Sequence, residues 1–433
     1  MTIIECRYKP EKISPTFYLF LFYIAVWWLQ LGERLGKRFG TEIRLEAIVA
    51  AALLFVTLLD NFRRKPEERA GFGPYVVAYF AVLLLQVAIA WNVERAWTVF
   101  LDNVLKYSAM GLLISRFVRT PQQLGWLIFV WLLSCWKGTL EGVIGGISGS
   151  LVWENQGIMR LNGNGLWAHP NSFSQFALGV IPFCFYLSPL VKKYWMKAGL
   201  LSLFCFATYV VIYTGSRTGY LGYLFMMILF FFQASKNKRK KIFLIFLVIS
   251  PLIVTFMSAS YKDRFLSTFA GKEKEGNSKG ARIELYKQGL FIFTKHPFGV
   301  GVGNYRIANG KYFGREMDQH CLYTETLTEI GIHGSAIFLL LLYKIISSLR
   351  SIIKKTANLD RSFNCKTCEY NYYLINAIAR SAYLYLFMRL FMDLFSMDLY
   401  GIAWWFIIGI CSSLSILVSN LNFKSEMRMN FVS

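Results

Sequence analysis

The sequence has few of the residues that usually bind metals. It contains four histidines and 25 acidic residues among 433, and it has no H-x-x-x-H, H-x-E or D-x-D pattern to supply close ligands. Its eight cysteines form no paired framework. The lone C-x-x-C at Cys365 and Cys368 has no second pair, so it is weak support for a zinc or redox site. We predict neither a metal nor another cofactor.

Long polar segments are also scarce. Hydrophobic residues make up 55% of the chain and aromatic residues 17%, which exceeds the apolar share of an average soluble domain. Apolar runs that approach the thickness of a bilayer recur along the whole length. They predict an all-α, polytopic integral membrane protein, a single domain over 1–433 with about twelve transmembrane helices. The predicted spans are 17–31, 45–60, 75–91, 97–115, 124–136, 171–191, 198–214, 216–232, 242–259, 320–349, 372–393 and 401–420.

The net charge of +22 does not indicate a nucleic-acid partner, because no recognition motif of that kind is present. Lysine and arginine instead collect in alternate short loops, as the positive-inside rule describes. That pattern places both termini in the cytoplasm. Arg34, Lys37, Arg38 and Arg44 are the exception, since they fall in an outer loop. No cleavage site follows the first apolar run, so we expect it to be a membrane helix.

This topology places two long loops outside, at about 137–170 and 260–319. The second is the large outer loop between helices 9 and 10. The G-S-R-T-G sequence at 215–219 falls at the outer end of the eighth helix, so Arg217 lies on the same face. A guanidinium there suits a phosphate clamp, or it could simply extend to the membrane interface.

The large loop carries three further signals. Arg282, Tyr286 and Leu290 are spaced to share one helix face, which fits a functional cation or a solvated helix. A P-F-G-V-G-V-G turn follows at 297–303. It is not a dinucleotide fingerprint, but its glycines allow a close backbone approach to a ligand or a helix entry.

His320 opens the tenth predicted span and is followed by Glu325 and Glu329. A histidine at the membrane edge can act as a general base or can simply be a hydrogen-bonded interfacial residue. The loop before the sixth span contains Arg160 and His169 among aromatic and amide residues. That composition suits a sugar surface, or it can mark the entry of a helix at Pro170.

Two charged pairs at a spacing of four residues lie inside predicted spans. Asp102 with Lys106, and Arg389 with Asp393, are interpreted as buried structural pairs, although a role in ion coupling is an alternative.

Taken together, these motifs resemble the O-antigen ligase family of bacterial envelope proteins, over a core of about 160–334. The resemblance rests on G-S-R-T-G, on A-R followed by Y-x-x-G-L at 281–290, on H-P-F-G-V-G-V-G at 296–303, and on H-x-x-x-x-E-x-x-x-E-I-G-I-x-G at 320–334. Tyr286 stands where such proteins often have tryptophan.

The resemblance implies metal-free transfer of a glycan from undecaprenyl pyrophosphate to a hydroxyl of lipid A–core or another acceptor glycolipid or glycan. Arg217 and Arg282 would hold the pyrophosphate, and His320 would activate the acceptor. Ser216, Tyr286, Glu325, Arg160 and His169 would support the site or contact a glycan. Glu325 and Glu329 would orient His320 or brace its helix.

Four functions stay open, and one of them is a metal-dependent membrane glycosyltransferase, for which Glu33 and Glu42 lie in the first outer loop but form no D-x-D pattern. The leading one is a ligase, and the runner-up is a polymerase of the same family, which differs mainly in its acceptor. The third is a transporter of lipid-linked sugars, although no matched broken helices indicate the inverted repeats of many transporters.

Overall fold

The computed structural model describes residues 13–59, 72–155, 158–234, 239–240, 261–263, 265–266, 278–357 and 366–429. The helices are α1 Pro15–Leu29, α2 Leu31–Phe39, α3 Leu45–Leu59, α4 Gly73–Ala88, α5 Val93–Val99, a π-helix Phe100–Leu105, α6 Lys106–Phe117, α7 Pro121–Ser148, α8 Pro170–Leu187, α9 Tyr194–Tyr213, α10 Arg217–Gln233, α11 Ser278–Lys295, α12 Tyr305–Phe313, α13 Leu322–Ala357, α14 Lys366–Met392 and α15 Ile402–Met429. Strands β1 (Val152–Asn155) and β2 (Ile158–Leu161) form one antiparallel hairpin.

The fold is all-α apart from that hairpin, and its helices are those of a membrane protein. Among the described residues, α7, α8, α9, α13 and α15 are long and apolar enough to cross a bilayer, and α1 with α2 makes a sixth candidate that bends by 67°. Helices α3 and α4 are apolar but shorter. The predicted span 242–259 lies outside the described residues, and the number twelve stays a prediction.

Helix α7 corrects one predicted boundary. The expected span ended at 136, whereas the helix continues to Ser148 and takes up the first part of the predicted outer loop. The added turns contain Gly142 and Gly146, which weaken the apolar pattern of the sequence. In the structure these glycines lie against side chains of α8 and α9, so they permit close helix packing.

Three of the four basic residues that contradicted the charge rule have acidic partners. Both terminal nitrogens of Arg34 bind the Glu141 carboxylate, at 2.7 and 2.5 Å, and Lys37 pairs with Glu33 at 2.7 Å. Half-exposed pairs of this kind add little stability. They do explain why a basic helix can occupy this position beside α7.

The predicted Asp102–Lys106 pair is wrong. Lys106 binds Glu46 at 3.0 Å, and Asp102 lies 3.6 Å from Arg44. Asp102 belongs to the π-helix Phe100–Leu105. Because a π-helix has a wider turn than an α-helix, residues four apart no longer lie on the same face. Each side chain therefore finds a partner on the α2–α3 segment.

The predicted Arg389–Asp393 pair is confirmed, with Nε 3.3 Å from Oδ2 and both side chains buried. Asp398, on the segment between α14 and α15, is a second carboxylate partner of Arg389. The pair therefore anchors that segment to the end of α14.

Helix α8 lies at the centre of the bundle, packed against α9, α10 and α14. Its Phe183 meets Trp131 of α7, which in turn packs on Phe406 of α15, with ring centroids 4.7 and 4.9 Å apart. This aromatic core fixes the position of α8, and with it the first turn of α8, where the candidate site begins.

Candidate active site at the ends of three helices

A cavity of about 270 Å³, here called the first cavity, lies at the N-terminal ends of α8, α10 and α11. It brings together six of the eight residues selected from the sequence. Its lining residues are Arg160, His169, Pro170, Asn171, Thr214, Gly215, Ser216, Arg217, Thr218, Ala281, Arg282, Leu285, Met317 and His320. Residues separated by as much as 160 positions therefore share one cavity, while Tyr286 and Glu325 are not among the lining.

The first turns of α8 and α10 are tied to each other. Ser216 caps α10 by accepting a hydrogen bond from the Gly219 N–H at 3.0 Å, and its hydroxyl donates to Oδ1 of Asn171 at 2.6 Å. Nδ1 of His169 accepts from the Asn171 N–H at 3.2 Å. Two helix N-termini, each with a partial positive charge, therefore open onto one cavity and favour an anion there.

The chain turns tightly between α9 and α10. Gly215 has φ 60°, a left-handed conformation that glycine adopts without steric cost. The turn reverses the chain within three residues, so Arg217 begins the new helix at the cavity wall.

Arginines reach the cavity from three separate elements. Arg160 comes from β2, where it pairs with Trp153 of β1, while Arg217 comes from α10 and Arg282 from α11. Burial, followed by the positive charges of Arg217 and Arg282, lowers the pKa of Arg160. The three guanidinium groups thus give the cavity a positive potential, as a pyrophosphate site requires.

His320 lies just before α13, at the edge of the same cavity. Its pKa is lowered by burial and by the charge of Arg282, and Asp318 acts in the opposite direction. The imidazole is therefore neutral at neutral pH, the state in which a histidine can accept a proton. The pKa of His169 is also lowered, first by burial and then by the charges of His320, Arg160 and Arg282.

The glycine-rich turn after α11 contacts α13 rather than the cavity. Helix α13 is broken at Gly331, which has φ 67° and ψ −174°. The Val300 and Gly301 N–H groups donate to the carbonyls of Thr328 and Glu329, at 2.9 and 3.0 Å. The turn therefore satisfies carbonyl groups exposed by the break. The glycine-rich turn at 297–303 and the break at Gly331 are here called the joint.

Glu329 completes this joint. Its carboxylate accepts hydrogen bonds from the N–H groups of Gly303 and Tyr305, at 2.7 and 3.1 Å, and from the Tyr400 hydroxyl at 2.6 Å. Glu325 and Glu329 were expected either to orient His320 or to brace its helix, and these contacts of Glu329 match the second role.

Glu325 also binds backbone, since it accepts from the N–H groups of Asp398 and Leu399 at 3.2 and 3.3 Å. It lines a different cavity from His320. Tyr286 points to the same segment, donating its hydroxyl to the Leu394 carbonyl at 2.6 Å. Tyr286 therefore holds α11 in place one turn beyond Arg282.

Sequence reasoning did not select Leu285 and Met317, which add apolar surface to the lining. Neither residue has a recognisable motif. Asn171 was noted only within its loop, and its link to Ser216 depends on the contact between α8 and α10. Among the described residues, no group of three or more His, Cys, Asp and Glu could hold a metal ion.

Comparison with known families gives one match. Residues 200–339 match the sequence model described as O-antigen ligase. This segment is therefore similar to the O-antigen ligase family. The match covers about a third of the chain and includes Arg217, Arg282 and His320, whereas Arg160 and His169 lie before it. No curated protein matches the chain.

The resemblance inferred from the motifs is thereby confirmed. Proteins of the O-antigen ligase family are glycosyltransferase-like enzymes that use lipid-linked glycans. In this O-antigen ligase domain, the matched segment spans the cavity from α10 to His320 and the joint between the glycine-rich turn and α13.

Proposed function

We propose that this protein is an O-antigen ligase-like glycosyltransferase. It transfers a glycan en bloc from undecaprenyl pyrophosphate to a hydroxyl of lipid A–core or a similar acceptor. The observation that carries the proposal is the first cavity, where three arginines, two joined helix N-termini and a neutral histidine meet.

In the proposed reaction, the pyrophosphate lies between Arg217 and Arg282, which make fixed hydrogen bonds to its oxygens. As the acceptor oxygen attacks the anomeric carbon, the bond from that carbon to the pyrophosphate breaks. The guanidinium groups stabilise the charge that develops on the leaving group. His320 takes the proton of the acceptor hydroxyl, and the lipid pyrophosphate departs. A single displacement of this kind inverts the anomeric configuration.

The proposal includes a location. The site faces the periplasm of a bacterial inner membrane, both termini are cytoplasmic, and the reaction uses no metal. The loop charges support this orientation, since lysine and arginine collect in alternate loops.

The test supplies purified protein with an undecaprenyl-pyrophosphate-linked glycan, lipid A–core and EDTA, and separates the products on a gel. A single shift of the core band is the expected result. A ladder attached to undecaprenyl would replace the ligase by a polymerase. Movement of the carrier across a vesicle membrane without any product would replace both by a transporter.

A further inference from the structure

A second cavity, of about 250 Å³, also touches the first turns of α8. Asn171 lines the first cavity, whereas Ser172 and Gln175 line the second. Its other lining residues are Asn103, Tyr107, Leu166, Trp167, Glu325, Arg389, Ser396, Met397, Asp398, Leu399, Tyr400, Gly401, Ile402 and Ala403.

We infer that this second cavity binds a sugar ring of the acceptor glycan, the ring next to the hydroxyl that His320 deprotonates. The inference rests on the proposed glycosyl transfer and adds an acceptor subsite to it.

The charged groups of the second cavity are already engaged with one another. Arg389 pairs with Asp393 and Asp398, and Glu325 accepts two backbone N–H groups. Gln175 donates to Asp393 at 2.6 Å. These contacts occupy the charged groups of the walls, so the cavity suits a neutral ligand with many hydroxyl groups better than an ion.

Trp167 provides the surface that a sugar ring requires. Its indole stacks on Phe176 with ring centroids 4.6 Å apart, which fixes the orientation of the ring. Its Nε1–H is buried and has no hydrogen-bond partner among the described residues. A buried indole N–H normally has a partner, and a sugar hydroxyl would supply one while the ring packs on the aromatic face.

The position of the second cavity favours a sugar of the acceptor over a sugar of the donor as its ligand. In a displacement with inversion, the leaving group and the incoming oxygen lie on opposite sides of the anomeric carbon. The arginines that would hold the leaving group come from β2, α10 and α11, and none of these elements lines the second cavity. Trp167 is only two residues from His169, so their Cα atoms are at most about 7 Å apart.

The test measures transfer kinetics with the acceptor and the donor varied separately. In Trp167→Ala we expect the KM for the acceptor to rise roughly tenfold, with the donor KM within twofold of wild type. Trp167→Phe keeps the aromatic face but loses the N–H, so it should give an intermediate acceptor KM. Asn103→Ala should raise the acceptor KM as well. Trp126→Ala, an exposed tryptophan on α7 that lines neither cavity, is the matched control and should change neither KM.

A rise in the donor KM alone, or an unchanged acceptor KM in Trp167→Ala and Asn103→Ala, would overturn the assignment. Saturation-transfer NMR with delipidated core oligosaccharide gives a readout that does not need catalysis. If wild-type protein binds this oligosaccharide and Trp167→Ala does not, the subsite stands even where the transfer reaction fails. If transfer occurs and the variants bind and react like wild type, the subsite fails while the proposed function stands.

Discussion

Gly299 and Gly331 meet backbone against backbone where the glycine-rich turn enters the break in α13. A Cβ on Gly331 would lie 2.3 Å from the carbonyl carbon of Phe298, and one on Gly299 would lie 2.6 Å from the carbonyl oxygen of Glu329. No side chain fits at either position without a shift of the main chain. The joint links the C-terminal end of α11, the helix that carries Arg282, to the helix that follows His320.

We expect Gly331→Ala to destabilise the protein strongly. Its φ of 67° with ψ of −174° lies in a region that essentially only glycine occupies, at a cost of about 1–3 kcal/mol for other residues, and the contact with Phe298 adds to that cost. Gly314→Ala is the control, because Gly314 has φ 70° but no atom within 4 Å of the added Cβ. Thermal unfolding in detergent should show a larger loss in Gly331→Ala, and equal losses would mean that the close approach is unimportant.

If Arg217 and Arg282 hold the pyrophosphate as proposed, lysine cannot replace arginine at either position. Arg217→Lys and Arg282→Lys should each weaken binding of the lipid-linked donor roughly tenfold to a hundredfold, since charge-assisted hydrogen bonds contribute about 1.5–3 kcal/mol. Arg315→Lys, at an exposed position in the same loop, should bind the donor like wild type. Full activity in either clamp variant would exclude the proposed role.

The activity should depend on the neutral form of His320. Because burial and Arg282 lower the pKa of His320, the acidic limb of kcat should lie below the usual histidine value of about 6.5. Activity is then lost only as the pH falls through that lowered pKa. Arg282→Gln removes a positive charge and should move the limb to higher pH, whereas Asp318→Asn should move it lower. An unchanged limb in both variants would argue against His320 as the base.

His320→Ala separates catalysis from binding. Transfer should be abolished while the donor still binds, since the pyrophosphate contacts come from the arginines. Isothermal titration with the donor lipid, together with the gel assay, measures both quantities. Loss of donor binding to the same extent would give His320 a binding role instead.

Glu329→Gln should reduce stability rather than change the pH profile. The carboxylate accepts three hydrogen bonds, and a buried donor left without a partner costs about 1–3 kcal/mol. Tyr400→Phe removes one donor together with its need for a partner, so its effect should be smaller. An inactive Glu329→Gln protein with wild-type thermal stability would point to chemistry at this carboxylate.

The orientation predicts which sites a membrane-impermeant thiol reagent can reach. In a cysteine-free background, Arg315→Cys should be labelled in spheroplasts, and Lys197→Cys should be labelled only after lysis. Both positions are exposed in the structure. The reverse pattern would place the first cavity in the cytoplasm.

The sequence alone determined the class of fold and predicted six of the residues that line the first cavity. Apolar runs and loop charges depend on composition, and lipid imposes strong requirements on both. Arg217, Arg282 and His320 could be selected because cations, a histidine and glycine turns are rare against an apolar background. Their order along the chain also matched the family.

Only the tertiary structure decided how these residues are used. The joint between Gly299 and Gly331, the ties of Glu325 and Glu329 to backbone groups, and the partners of Asp102 and Lys106 all depend on contacts between distant segments. A local pattern records which side chain is present and where it falls on its own helix. It does not record which other helix packs there, and that packing joins Asn171 to Ser216 and forms two cavities with different linings at the start of α8.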